Sequence, residues 1–160
     1  MRLSRIAALP AFVLSFAHAE AAPQKIMVFD FYLDNTSMEP TSAAENARLK
    51  TISDELRADL QKSKKYDVSI GKDEQSSAMP QIGKCDDKQM SAAQKAGAEL
   101  VACPWVQKVS NLILNLNIII QNAKTGQAVR GGSVDIRGNT YVSWDRGLRF
   151  LLEEHVFQNH

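Results

Sequence analysis

Hydrophobic and polar positions alternate most regularly in residues 112–121. Leu112, Leu114, Leu116, Ile118 and Ile120 form one wholly aliphatic parity, while Ile113, Asn115, Asn117, Ile119 and Gln121 form a largely polar one. A period of two held over ten residues predicts a strand with one face buried and the other wet or lightly covered. Residues 26–33 (IMVFDFYL) are apolar on both parities, which predicts a strand covered on both faces and central in its sheet. Tyr66–Ile70 alternates and predicts a short strand returning parallel to the first. In 99–110 the apolar run contains Pro104, which cannot donate to a ladder, so an edge position or a bulge is expected there. Residues 122–126 read as a hairpin connection, and 128–136 as its second strand, with Gly131 and Gly132 marking a bulge or a close backbone approach.

Helical periodicity appears three times. Ser42 and Glu45 have capping-box spacing, and Leu49, Ile52, Leu56 and Leu60 make one stripe behind them. Asp86 or Asp87 can cap a second helix over 88–96, whose buried side is small (Met90, Ala93, Ala96) and which stops at Gly97. Ser143 can cap a third, with Trp144, Leu148, Leu151, Leu152 and His155 on its stripe. Residues 71–83, polar and containing Pro80, read as a long loop. The expected order is β-α-β-α-β-β-β-α: an α/β (α+β) fold with a single mixed sheet of about five strands and helices packed on it. The globular domain is expected to span residues 25–157.

Composition narrows the function. With Lys+Arg 19 against Asp+Glu 18, the chain has no concentration of positive charge with which to hold nucleic acid. Arg2 and Arg5 precede an apolar stretch too short to span a membrane, followed by Ala17-His18-Ala19. That is the pattern of a signal peptide over residues 1–19, cleaved after Ala19 or Ala21. Cleavage removes two arginines and no acid, which takes the formal charge of +1 to −1. A periplasmic protein without a membrane span is expected. Cys85 and Cys103, an even count in an exported chain, read as a disulfide that would contribute about 3 kcal/mol. The alternative is a buried Cys103 and a free Cys85 thiol.

Catalytic chemistry finds no candidate. The histidines are His18, His155 and His160, with no metal-ligand spacing and no Cys-x-x-Cys, so no metal is expected. No Gly-x-Ser-x-Gly elbow is present. Asp30 and Asp34 flank the end of the first strand, where α/β sheets place ligand crevices. A phosphotransferase would need its second aspartate two positions after the first, and Tyr32 stands there. No catalytic residue and no cofactor are therefore expected. The polar constellation lies around the hairpin: Trp105, Gln107, Lys108, Asn111, Asn115, Asn117, Arg130, Arg137, Asn139 and Trp144. It reads either as a solvated face, with Asp135 pairing to an arginine, or as a protein-docking surface anchored by Trp105 or Trp144. Trp144 fits the core equally well.

Residues 105–115 (WVQKVSNLILN) and 132–140 (GSVDIRGNT), together with Val28-Phe29-Asp30-Phe31, resemble a bacterial exported family known as a domain of unknown function. More remotely, the element order is similar to the N-terminal domain of TolB and to CsgG-like periplasmic domains. That likeness implies a non-enzymatic envelope module whose partner is another envelope or exported protein. Many CsgG-like proteins carry a lipid anchor, and this chain has no cysteine where one would attach. The expectation is a non-enzymatic periplasmic accessory domain that acts by protein contact. The alternative is a small-ligand module using Asp30, Asp34 and the loop after Ile70.

Overall fold

Apolar residues on both parities place residues 26–33 between neighbours, but the chain crosses the sheet there in two pieces. In the computed structural model, which describes residues 22–72 and 82–158, β1 covers Gln24–Val28 and β2 covers Tyr32–Asn35. They are followed by α1 (Ala43–Lys62), β3 (Tyr66–Ile70), α2 (Asp87–Lys95), β4 (Leu100–Lys108), β5 (Ile113–Asn122), β6 (Ala128–Arg137) and α3 (Tyr141–Leu151). A π-helical turn, Leu152–Val156, continues α3. The six strands make one mixed sheet in the order β3-β1-β4-β5-β6, with β2 also paired to β4. Pairing is parallel among β1, β2, β3 and β4 and antiparallel from β4 through β6. The expected mixed sheet is present, with a sixth strand made by the split. The signal segment, His160 and most of the 71–83 loop lie outside the described residues.

Pro104 explains where the split falls. It sits in the interior of a continuous, central β4, not at an edge, and it pairs with Ile118. The Ala102 carbonyl accepts from Phe29 N at 3.0 Å, and the Lys108 carbonyl accepts from Thr36 N at 2.9 Å. Backbone groups alternate sides along a strand, so Pro104 turns its hydrogen-free nitrogen the same way, into the gap between β1 and β2. The irregularity therefore belongs to the neighbouring strand. Phe31 N donates instead to Ser53 Oγ on α1 at 2.8 Å, and Arg57 reaches the Val28 carbonyl and Asp30, the latter at 2.6 Å.

The two faces of the sheet are covered unequally. α1 and α3 bury Ile52, Leu56, Leu60, Trp144, Leu148 and Leu151 against Ile26, Val28, Val106, Leu114, Leu116, Ile118 and Ile120. On the other face α2 packs Ala93 against Met27, Val101 and Cys103, beside Ala123. Cys85 and Cys103 are joined in a disulfide, Cα atoms 5.5 Å apart, which ties the segment before α2 to β4.

Several local expectations change. Leu112 is 73% exposed and precedes β5, because the chain is still turning there: Ser110 Oγ accepts from both Leu112 N and Ile113 N. Asp86 is the cap of α2, and Thr140, not Ser143, caps α3. Register slips at Ile120/Gln121, opposite Val129 and not at the glycines. Gly132 instead provides close approach, since a Cβ there would lie 2.3–2.6 Å from the His155 side chain.

Candidate docking end and the ion-paired cluster beneath it

The strand that carries Pro104 ends in a buried lysine. Along β4 the parity of Leu100, Ala102 and Val106 faces the helices, and Lys108 shares it. Its ammonium therefore points beneath the first turn of α1, where Glu45 waits at N3 of the capping box. Lys108 Nζ lies 2.7 Å from Glu45 Oε1, and both side chains are 2% exposed. Glu45 Oε2 accepts from Ser42 N at 2.7 Å and Ser42 Oγ at 2.9 Å. Asn139 Nδ2 donates to Glu45 Oε1 at 2.6 Å and to Asn111 Oδ1 at 2.9 Å. Asn111 in turn donates to Glu39 at 2.5 Å. Burial alone would push the Glu45 carboxyl up; the Lys108 ammonium and the Ser42 and Asn139 donors outweigh it and hold the group at about 2.

Arg48, one turn further along α1, donates to Asn139 Oδ1 at 3.0 Å and lies 5.3 Å from the Trp144 ring centroid. Arg48 Nε and Trp144 Nε1 are both buried without a hydrogen-bond partner among the described residues, and the guanidinium-on-ring contact is what they have in common. A cleft of about 320 Å³ opens above the cluster, lined by Glu39, Pro40, Ser42, Glu45, Arg48, Lys108, Asn111 and Asn139. Of the charged groups lining it, Glu45 and Lys108 already satisfy each other. Among the described residues no group of His, Cys, Asp and Glu side chains is placed to hold a metal ion.

These bonds draw three loops together at the end of the sheet where β2, β4 and β6 finish and β5 begins. The Gly138 N to Leu112 carbonyl bond, 3.2 Å, adds to them. Each loop, or the turn beside it, carries apolar side chains into solvent: Met38 (fully exposed), Val109 and Leu112, then Tyr141 and Val142 at the start of α3. Isolated exposed apolar residues are ordinary; here they stand on or beside each of the segments that the network ties together, and contiguous exposed apolar surface is a mark of contact sites.

The residues singled out from sequence separate into distinct places. Lys108, Asn111, Asn139 and Trp144 meet in the cluster; Lys108 and the fully buried Trp144 are thus parts of its base, not exposed anchors. Trp105, Gln107, Asn115 and Asn117 share the opposite face of the sheet, as the pairs Trp105–Asn117 and Gln107–Asn115. Asn117 is buried there. Asn115 donates to Asp135 at 2.8 Å and accepts from Ser133 Oγ at 2.9 Å, so the carboxylate expected to meet an arginine meets an amide. Arg130 donates to the Gln158 carbonyl at 3.0 Å, away from both groups, and Arg137 is exposed where β6 ends. Asp34 is buried and accepts from Gln107 at 3.4 Å, while Asp30 is occupied by Arg57. Sequence reasoning passed over Glu39, Glu45 and Arg48 as members of the site. The parity of Lys108 was the available signal for Glu45; no short-range pattern links Arg48 to Asn139.

A family model described as "Protein of unknown function (DUF2380)" matches residues 24–156. The chain belongs to this family, DUF3280. No curated protein matches it in sequence. Among solved structures, PelC from Paraburkholderia phytofirmans, described as a dodecamer, is 14% identical with a TM-score of 0.55, covering 84% of this chain and 88% of that one. The C-terminal domain of LpoB from Salmonella enterica is 15% identical with a TM-score of 0.51, covering 76% and 87%. TolB from Acinetobacter baumannii is 12% identical with a TM-score of 0.44, over 84% of this chain and 29% of that one. For PelC and LpoB, at such identities, the likeness is one of fold. Among the described residues no helix is long and apolar enough to cross a membrane.

Proposed function

We propose that this protein is a non-enzymatic accessory module of the bacterial envelope, exported to the periplasm, that works by protein contact through the end of its sheet. The observation that carries the reading is that exposed apolar side chains, Met38, Val109, Leu112 and Val142, stand on or beside the segments that the network around a buried ion pair ties together. A surface built from Met and aliphatic side chains with arginine nearby has the composition of an interface core. The disulfide supports an oxidising compartment. The ligand-module alternative gains less support, because Asp30 and Asp34 are engaged and Glu45 and Lys108 in the cleft are already paired with each other.

The test begins with self-association, because PelC, of similar fold, was solved as a dodecamer. Light scattering, and periplasmic photocrosslinking from a photoreactive residue at position 112, are measured for the otherwise native chain and for Met38→Asp and Val142→Asp. Both variants should melt within about 0.5 kcal/mol of the native protein, as surface changes do. The native chain should give discrete protein adducts that both variants lose. Adducts to lipid alone, or a pattern unchanged by either aspartate, would defeat the proposal.

A further inference from the structure

The loops that carry Met38 and then Val109 and Leu112, and the turn that leads into α3 and Val142, each supply one member of the network: Glu39 from the first, Asn111 from the second, Asn139 from the third. The two charged residues at its centre stand on rigid elements, Glu45 on α1 and Lys108 on β4. Exposed apolar tips gain nothing locally from being held out in water, so an arrangement that holds them must draw its stability from elsewhere. The route is short. Lys108 holds Glu45 at 2.7 Å, Glu45 holds Asn139 at 2.6 Å, Asn139 holds Asn111 at 2.9 Å, and Asn111 holds Glu39 at 2.5 Å. Lys108 also approaches Glu39 directly, at 3.6 Å, which closes the circuit.

We propose that the Glu45–Lys108 pair is a positioning device for the docking end, locking the three loops into a single arrangement so that their apolar tips are presented as one surface. This rests on the reading of that end as the contact surface. A pair this deeply buried is poor evidence for stability as such, because replacing both partners by neutral groups of similar shape is often harmless. What it provides is one geometry out of many. A surface ordered before contact loses less conformational freedom on binding, and its affinity rises accordingly.

The experiment is hydrogen–deuterium exchange on the whole chain with the double variant Glu45→Gln/Lys108→Met. The introduced amide retains an acceptor for Ser42 N, so the helix cap survives, and the methionine side chain fills the lysine's volume. The melting temperature should stay within about 3 °C of native. Amides in 36–42, 109–112 and 138–140 should exchange faster together, by roughly tenfold or more, while those of β1 and β5 do not change. Loops that keep native protection, or loosening confined to one of them, overturn the proposal. Ile26→Val, at the far end of the sheet, is the control: if lowering stability there loosens the same loops equally, the effect is global and the proposal falls. Should the double variant not fold, Asn139→Ala leaves the ion pair in place and cuts the third loop from Glu45, Asn111 and Arg48; 109–112 and 138–140 must then loosen. No partner enters these measurements. A chain that behaves as expected but gives no adduct from position 112 retires the contact reading and leaves the positioning intact.

Discussion

A buried carboxylate that stays ionised must be compensated atom by atom, and Glu45 is. Its two oxygens receive Lys108, Asn139 and two donors from Ser42. The pH consequence has a definite sign. The folded carboxyl sits at about 2 against an ordinary 4.5. The stability it contributes is therefore complete above about pH 4.5 and is lost as pH falls from there toward 2. Denaturant midpoints between pH 6 and pH 2.5 should show a decline on the order of 3 kcal/mol assignable to this group. In Glu45→Gln/Lys108→Met that part of the slope should be absent; an unchanged slope would place the acid sensitivity elsewhere. Part of this was legible in the chain. Lys108 shares the parity of Leu100, Ala102 and Val106, and a lysine on a buried parity demands an acid opposite it. Asn139 and Arg48 were not legible as partners, since they are distant in sequence and meet only because β6 turns into α3 beside α1.

At the scale of elements, alternation and capping gave β5, α1 and the hairpin, while two features depended on neighbours. The break between β1 and β2 is invisible in the apolar run 26–33, because its cause is Pro104 on another strand. Gly131 and Gly132 look like a bulge in isolation, but the slip falls at Val129. Gly132 is small because the His155 side chain fills the space its Cβ would take. Gly132→Ala must therefore push the π-helical turn away from β6. A cost of about 1–3 kcal/mol is expected, as for overpacking in a core, read from the shift in urea midpoint. Gly131→Ala, whose Cβ would stand 3.1 Å from Ile119 Cδ1, should be milder. An equal cost at both positions would show that the histidine is not what sets the requirement at Gly132.

For the whole molecule, the decisive arrangement is that β4 joins two halves of the sheet, one parallel and one antiparallel. Its antiparallel partner β5 follows within a few residues, and β6 follows β5 just as closely. Its parallel partners are remote in the chain: Ile26 aligns with Leu100 only after α1, β3 and α2 have been laid down between them. Closing long loops is slow, because ordering must precede the contacts that reward it. The β4–β5–β6 meander should therefore be formed in the rate-limiting state, with β1 and β3 docking afterwards. Ile118→Val should slow folding, whereas Ile26→Val, equally buried, should chiefly hasten unfolding. Stopped-flow folding and unfolding rates separate the two cases, and an Ile26 variant that folds as slowly as the Ile118 variant would defeat this order. A proline in the middle of that meander then acquires a temporal meaning. It takes one donor out of β4 at the point where the late-arriving strand bends, so the last piece to dock need not match the sheet along its whole length.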